Sequence, residues 1–411
     1  MGHELPADLI YDILSRMPVK SLDRFRCVCK QWCKYIDEPN LAIIQMNRVA
    51  EEPIPIMLRV YPDPGCDLLT LFRITKSKKD VAKKDSVLEF ECKAPFYEYN
   101  RHSIRGSCNG LLYLSEYSDT DFPSTTLSVI HPLRNQRYEL PPIKIMESCG
   151  LGFDASTNTF KMLASALVEI GKRMYTVHTM VHVLGTDSWR EITQIPRYHM
   201  KGKGTFAHAC LHWLGFHYKQ MRHTERFGFL DLLPPNHRKK VVRFDIRKEE
   251  FELIDPPRKK GDDWVETMLV DLHGEIGLVY NSTHSFSMEL WVLKQNDQWM
   301  IQCQFDSKPP LTYQCIEIVG FWNTSGDILV TAEVGKRLFV YKVKNGGFHE
   351  VNLVGWEDGW AYVHMYRGSL FSVPGMKKWV ASSSKKRKRK RKERRRTRIP
   401  SKLIYGFLDF C

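Results

Sequence analysis

A repeated unit of apolar strand, polar turn and aromatic residue constrains the fold of this chain more than any other feature. The unit occurs as VIHPLRNQRYEL, VHVLGTDSWREI, VVRFDIRKEEFELI, ELWVLKQNDQWMIQ and LFVYKVKNGGFHEV. Its aromatic residues are Tyr138, Trp189, Phe251, Trp299 and Phe348, which lie 51, 62, 48 and 49 residues apart. This is the spacing of four-stranded propeller blades, and such a blade buries its faces only by packing against other blades. The repeat therefore predicts an all-β ring.

Short apolar strands that follow a glycine recur between these units and support the same interpretation. They begin at Gly110, Gly274, Gly326 and Gly368, and runs of β-formers divided by Gly, Pro, Asn and Asp turns continue nearly to residue 373. LLTLFRI and SVLEFEC form an earlier partial unit. With that unit the sequence predicts a β-propeller of about six blades.

Residues 5–36 have a different period, with apolar residues at helical spacing. The first stripe contains Leu9, Ile10, Ile13, Leu14 and Met17, and Pro18 ends that helix. A second helix, opened by Ser21 as N-cap and stopped near Pro39, carries Leu22, Phe25, Val28, Cys29, Trp32, Cys33 and Ile36. A segment of fewer than about 40 residues rarely sustains a core alone, so these stripes must lie against the rest of the chain or against another protein. The pattern alone leaves both possibilities open.

Residue identity favours another protein. The LP at the start, LSRMPVKSL across the break and RFRCVCKQW afterwards closely resemble the F-box of plant F-box proteins. The resemblance implies a substrate receptor of an SCF-type ubiquitin ligase, with the F-box on an SKP-family adaptor and, through it, on a cullin and a RING protein. It implies that this chain itself does no covalent chemistry, and we expect no cofactor.

The resemblance also implies which F-box residues face the adaptor. They are Leu5, Pro6, Ile10, Leu14, Pro18, Val19, Leu22, Phe25, Val28 and Trp32. Large apolar and aromatic residues usually dominate an interface, so Leu14, Leu22 and Trp32 are the expected anchors.

The β-rich region resembles the plant F-box-associated domain, which looks kelch-like. The shared motifs are GSCNGLLYL, HPLRNQRYELPP, GLGFDASTNTFKML, VHVLGTDSWREI, HACLHWLG and VVRFDIRKEEFELIDPP. One departure is the stretch at 217–240, HYKQMRHTERFGFLDLLPPNHRKK, which is longer than the family usually has there. It is a recognition loop, a disordered insert or an error in the gene model. The implied target is a protein, glycoproteins included, whose identity the sequence does not give.

Together these features predict an α+β multidomain chain. We expect an all-α F-box at 1–45, a linker at 46–66, an all-β degenerate propeller at 67–380 and a disordered basic tail at 381–411.

The net charge of +14 is concentrated in the tail, because the run at 385–398 contributes +11. Such a block stays solvated, and nuclear import is the favoured role of its first residues, Lys385, Lys386, Arg387, Lys388, Arg389, Lys390, Arg391 and Lys392. The alternative function is a nuclear nucleic-acid-binding propeller acting through this tail, although the run lacks the aromatic residues that stack on bases. The sequence predicts neither a membrane span nor a signal peptide, and hence a location in the nucleus, the cytoplasm or both.

Two pairs of histidines and three clustered cysteines are the remaining candidates for chemistry. His178 with His182, and His208 with His212, have a four-residue spacing on predicted strands, but no third ligand is identifiable nearby. Cys27, Cys29 and Cys33 are more typical of buried apolar packing than of a metal site. We expect structural histidines and no metal centre.

Overall fold

The computed structural model describes residues 6–49, 53–60, 68–75, 81–91, 102–118, 124–143, 146–171, 174–194, 196, 198–217, 239–257, 265–272, 274–282, 288–305, 316–332, 337–354 and 360–378. The basic run at 385–398, most of the stretch at 217–240 and the predicted disordered tail lie outside these residues. Within them the fold has helices at its N-terminus followed by strands, as the sequence predicts.

Four short helices form the N-terminal region. They are α1 (Ala7–Ser15), α2 (Val19–Phe25), α3 (Lys30–Asp37) and α4 (Pro39–Arg48). The prediction of one long second helix is wrong, because a turn at 26–29 separates α2 from α3. The Cys29 Sγ accepts a hydrogen bond from the Trp32 backbone N–H at 3.4 Å and so caps α3. The sequence analysis also missed α4, which begins at Pro39, a residue well suited to the first turn of a helix.

The strands form five sheets among the described residues, and these comprise six blades because the eight-stranded sheet contains two of them. Blade 1 contains β1 (Ile54–Val60), β2 (Leu68–Thr75), β3 (Val81–Glu91), β24 (Asn352–Val354) and β25 (Trp360–Tyr366). Blade 2 contains β4 (His102–Cys108), β5 (Leu111–Ser118), β6 (Ser124–His131), β7 (Gln136–Glu139) and β26 (Lys377–Lys378). Blade 3 contains β8 (Ser148–Asp154), β9 (Thr159–Gly171), β10 (Met174–Val183) and β11 (Arg190–Glu191).

The other three blades have four strands each. Blade 4 contains β12 (Tyr198–Ala207), β13 (Cys210–His217), β14 (Lys240–Asp245) and β15 (Glu250–Ile254). Blade 5 contains β16 (Val265–Asp271), β17 (Ile276–Ser282), β18 (Met288–Leu293) and β19 (Trp299–Phe305). Blade 6 contains β20 (Glu317–Phe321), β21 (Ile328–Ala332), β22 (Arg337–Lys342) and β23 (Gly347–Glu350).

The innermost strands form a closed ring. They are β25, β4, β8, β12, β16 and β20, and each contacts the next, with β20 returning to β25. Strands β8 and β12 also pair in parallel, with Ser148 opposite Gly202, and this joins blades 3 and 4 into one sheet. The sequence prediction of a propeller of about six blades is thus confirmed.

Blade 1 closes the ring with strands from both ends of the chain. The early strand β1 pairs antiparallel with the late strand β25, from Ile54 opposite Tyr366 to Val60 opposite Trp360. Part of the range 46–66, which the sequence analysis assigned to a linker, is therefore the end of α4 and a propeller strand. Its alternation was obscured by Pro53 and Pro55.

The two faces of the ring differ in their connections. The first and second strands of blade 2 are joined by the tight turn Asn109–Gly110, and its third and fourth strands by the turn at 132–135. The helices pack on this face, which we call the hairpin face: Arg134 of the second turn contacts Asp23 and Asp37. Because neighbouring strands are antiparallel, β13 ends and β14 begins at the opposite face.

A continuous apolar core joins the helices to the propeller. It includes Leu14, Leu22 and Ile36 from the helices, Leu111 and Tyr113 from blade 2, and Leu370 and Phe371 from the segment after β25. Among the described residues no helix has the length and apolar character needed to cross a membrane.

Candidate functional site

The described part of the helical region presents four large apolar side chains to solvent, of which Ile44 on α4 is the least exposed at 38% and the other three are candidates for binding a partner. Leu9 is 50% exposed, Ile13 is 49% exposed and Val28 is 62% exposed. Leu9 and Ile13 lie one turn apart on α1, so their side chains share one face of that helix. Exposed apolar side chains of this size are typical of interaction surfaces when they occur together.

Four residues predicted to face the adaptor are instead buried within the chain. They are Ile10, Leu14, Val19 and Leu22, of which Leu14 and Leu22 are completely buried in the core shared with the propeller. Two of the three expected anchors therefore have no surface to offer a partner in this structure. The reason is that the helices pack on one another, α1 against α4, and share one apolar core with the propeller, so packing against the rest of the chain is realised for these residues.

The remaining predicted residues lie at or near the surface. Pro6, Pro18 and Val28 are exposed, whereas Phe25 and Trp32 are half-buried. The rings of Phe25 and Trp32 pack edge to face with centroids 5.6 Å apart, which fixes the orientation of Trp32. Leu5 lies outside the described residues. Adaptor contact by these residues stays a prediction.

Leu9 and Ile13 were not among the predicted contacts, although they belong to the predicted stripe. An α-helix turns about 100° per residue, so Leu9 and Ile13 form one edge of the stripe while Ile10 and Leu14 form the other. The stripe is wider than one partner can cover. Only the packing of α1 against α4 and the shared core shows which edge is free.

The exposed part of the helical bundle is held by charged pairs. The Arg16 Nε lies 3.1 Å from Asp12 Oδ2, and the Arg48 Nη1 lies 2.6 Å from Asp12 Oδ1. These hydrogen bonds from two guanidinium groups lower the pKa of Asp12. The pair between Arg48 and Asp12 connects α4 to α1 on the solvent side, where water screens such pairs and they contribute little to stability.

A cavity on the propeller axis is the second candidate site. Its lining comes from the innermost strands and includes Arg105, Lys203, Asp271, Glu317 and His364. The Lys203 Nζ lies 3.3 Å from Glu317 Oε1, and the His364 Nε2 lies 3.0 Å from Ser107 Oγ. The cavity is thus polar and its charges are balanced.

The predicted histidine pairs have separate structural environments. His182 is buried, its Nε2 lies 3.0 Å from Tyr138 Oη and its Nδ1 lies 3.0 Å from the Ser188 carbonyl oxygen. The exposed His178 contacts Glu191, and His208 lies in the turn between β12 and β13 rather than on a strand. Within the described residues no three His, Cys, Asp or Glu side chains are grouped closely enough to hold a metal ion.

The cysteines of the helical region also differ from expectation. Cys27 and Cys29 are exposed and Cys33 is half-buried, so the predicted apolar burial of this cluster is wrong. The turn between α2 and α3 brings the first two to the surface, and this turn is where the continuous-helix prediction fails.

Comparison with known proteins identifies both parts of the chain. Residues 3–43 match the F-box domain and residues 64–373 match the F-box associated beta propeller domain. F-box protein At1g47340 of Arabidopsis thaliana is 25% identical over 344 residues, covering 80% of this chain and 69% of the relative.

Two further relatives from Arabidopsis thaliana show the same similarity. F-box protein CPR1 is 26% identical over 329 residues, covering 72% of this chain and 71% of its own. F-box/kelch-repeat protein At3g23880 is 22% identical over 362 residues, covering 84% of this chain and 90% of the relative. The chain belongs to the family of F-box proteins with an F-box-associated β-propeller domain.

Proposed function

We propose that this protein is the substrate receptor of an SCF-type ubiquitin ligase, in which the F-box binds an SKP-family adaptor and the propeller binds a target protein. The observation that carries the proposal is an F-box whose Leu9, Ile13 and Val28 side chains remain exposed after the helices have packed on the propeller. Apolar groups of this size lose contact with water when a partner covers them, which stabilises the complex.

The proposed role needs no catalytic group in this chain. The F-box is held on the adaptor and through it on a cullin and a RING protein. A target bound by the propeller is then kept near the ubiquitin-loaded conjugating enzyme. Such tethering raises the local concentration of the target's lysines to the order of millimolar when the geometry permits both contacts.

The experiment that tests this proposal uses the full chain. Purified protein is mixed with a purified SKP-family adaptor, and the complex is measured by gel filtration and by titration calorimetry. A stable one-to-one complex supports the proposal. Absence of binding at micromolar concentrations contradicts it. Proximity labelling with and without a proteasome inhibitor would then identify target proteins, which should accumulate when degradation is blocked.

We also propose nuclear import through Lys385, Lys386, Arg387, Lys388, Arg389, Lys390, Arg391 and Lys392, which lie outside the described residues. The support is their charge density, because eight consecutive cationic side chains form a strong site for an acidic receptor surface. A fluorescent fusion in which these eight residues are alanine should lose nuclear accumulation. Unchanged accumulation would contradict the proposal.

The same basic run supports a second candidate function, which is the binding of nucleic acid. If the run acts in this way, binding to duplex DNA should weaken steeply with salt and should vanish when residues 385–398 are deleted. Adaptor binding should be unaffected by that deletion, so the two functions can be separated in one preparation.

A further inference from the structure

The F-box sits on the propeller through four charged side chains. Arg134, in the turn between β6 and β7, has only 7% of its side chain exposed. Its Nε lies 3.6 Å from Asp23 Oδ1 on α2, and its Nη2 lies 3.2 Å from Asp37 Oδ1 at the end of α3. Arg26 completes the group, with its Nη2 2.8 Å from Asp37 Oδ2. Two cations and two anions make this cluster neutral.

The cluster favours one orientation of the F-box. Burial lowers the pKa of Arg134, as does the nearby Arg26, whereas Asp37 and Asp23 oppose that shift. A guanidinium group that has lost its water is stabilised by nearby carboxylates, and Asp23 and Asp37 lie at ion-pair distance from Arg134 although the Arg134 Nη2 has no hydrogen-bond partner among the described residues. Rotation of the F-box would separate Arg134 from Asp23 and Asp37 and leave its charge unpaired.

A second attachment lies at the other end of the F-box. The Arg367 Nη2 donates a hydrogen bond to the Met46 carbonyl oxygen at 3.3 Å and another to the carbonyl oxygen of Val49. Both acceptors belong to the C-terminal end of α4, where carbonyl groups lack partners within the helix and the helix dipole is negative. Tyr366, just before Arg367, pairs with Ile54 at the start of β1, so this attachment lies where the chain enters and leaves the ring.

Apolar contact fills the space between the two attachments. A methyl group built on Gly368 would lie 4.0 Å from Val19 Cγ1 of the F-box and 3.0 Å from Leu133 Cδ1 of blade 2. The segment after β25 continues to Phe371, whose ring packs on Phe153 at a centroid distance of 4.7 Å. The F-box is thus in contact with blade 2 and with this segment over a continuous core.

We propose that Arg134 and Arg367 are positioning residues that hold the F-box in a single orientation on the propeller. Two separate attachments with a core between them remove the rotation that a flexible linker would allow. Resting on the proposed function, this arrangement fixes the direction in which an adaptor-bound receptor presents its target, and so selects which lysines receive ubiquitin.

The orientation is tested on the full chain without any ligase component. Azide-bearing residues replace Lys34 on α3 and Gln295 in the turn between β18 and β19, dyes are attached to them, and single-molecule energy transfer is recorded. We expect one narrow distance distribution for the parent protein and a broad or multiple distribution for the double variant Arg134→Met, Arg367→Met. Arg337→Met is the matched control, because Arg337 pairs with Glu350 on blade 6. The distance distribution of this control variant should stay narrow.

An equally narrow distribution in the double variant would overturn the proposal. If that variant fails to fold, as judged by circular dichroism, Arg134→Lys with Arg367→Lys replaces it. Lysine keeps the charge but lacks the planar fork that reaches two acceptors. The distribution should then be intermediate in width, and a width equal to that of the parent would again overturn the proposal.

The consequence for ubiquitin transfer is tested in the assembled ligase, with the chain's own lysines as acceptors. The double variant should bind the SKP-family adaptor within about twofold of the parent, because the exposed apolar side chains are unchanged. Peptide mapping should nevertheless show ubiquitin spread over more lysines. An unchanged lysine map would overturn the positioning role. Failure of the parent to bind the adaptor would contradict the proposed function alone, and energy transfer would still decide the orientation.

Discussion

At the scale of single residues, the F-box divides its apolar side chains between its own chain and the solvent. Leu14 and Leu22 lie in the shared core, whereas Leu9 and Ile13 project from the same helical region into water. The two groups should therefore respond differently to substitution, because one stabilises the fold and the other is available to a partner.

The double variant Leu9→Asp, Ile13→Asp should weaken adaptor binding by about 2 kcal/mol or more, since two apolar contacts are replaced by charges that must lose water. Its melting temperature should change little. Leu22→Ala is the matched control and should lower the free energy of unfolding by about 2–5 kcal/mol. Calorimetric titration and thermal unfolding measure the two effects. Undiminished adaptor affinity in the aspartate variant would show that another surface binds.

A buried histidine gives a second residue-scale prediction. Burial is the largest cause that lowers the pKa of His212 from 6.5 to about 3. Below pH 6.5 the unfolded chain therefore binds a proton that the folded chain does not, so stability decreases as the pH falls from 6.5 towards 3. The loss approaches about 1.4 kcal/mol per pH unit for this side chain.

Urea unfolding of the parent and of His212→Gln at neutral pH and at about pH 5 measures this effect, because glutamine does not titrate. The stability difference between the two pH values should be smaller in the variant. Equal differences would mean that His212 does not contribute. His131, whose pKa burial also lowers to about 3, should behave in the same way.

At the scale of elements, the hairpin face depends on turns that only certain residues can form. Gly110 has φ +75° in the turn between β4 and β5, and Gly326 has φ +83° between β20 and β21. Both therefore favour glycine for the same backbone reason. They differ in their surroundings, because Gly110 lies directly beneath the segment that follows β25.

Substitution of each glycine by alanine should distinguish the cost of backbone strain from the cost of a steric clash. A Cβ at Gly110 would lie 2.6 Å from the Ser369 nitrogen, whereas a Cβ at Gly326 would have no heavy atom within 4 Å among the described residues. Gly326→Ala should cost about 1 kcal/mol, the typical penalty for a left-handed non-glycine residue. Gly110→Ala should cost clearly more. Chemical denaturation measures the free energy of unfolding of both variants. Equal losses would show that the segment after β25 moves aside at little cost.

At the scale of the whole molecule, the ring closes only when both ends of the propeller sequence are present. The early strand β1 has β25 as its inner partner, and β25 is also the innermost strand of blade 1. Loss of that strand would expose both neighbours at once, since β25 contacts β4 and β20 as well. Each blade buries its faces against its neighbours, so the loss of one innermost strand affects the packing of the whole ring.

A chain that ends at residue 380 should therefore keep the melting temperature of the parent, because it retains every described strand. A chain that ends at residue 359 lacks β25 and should not unfold cooperatively. Circular dichroism and calorimetry compare the two. A cooperative transition in the shorter chain at the temperature of the parent would contradict closure by β25.

Much of the architecture could be predicted from the sequence because it depends on the local period of apolar residues. Strand alternation and aromatic residues near 50-residue spacing indicate a propeller, and helical stripes with an F-box-like motif indicate the N-terminal bundle. The division of the second helix was missed because capping by Cys29 depends on a turn without a strong sequence signal. The strand β1 was missed because Pro53 and Pro55 obscure its alternation and because β25, one of its two pairing partners, is more than 300 residues away.

The sequence by itself therefore determined the two domain types and the presence of a wide apolar surface on the F-box, since these follow from residue period and identity. Only the tertiary structure decided that Ile10, Leu14, Val19 and Leu22 face inward while Leu9, Ile13 and Val28 face outward. The physical reason is that burial depends on what covers a helix. That cover is supplied by α4 and by a propeller face that shares one apolar core with the helices, and the residues of the propeller face are distant from the helices in sequence.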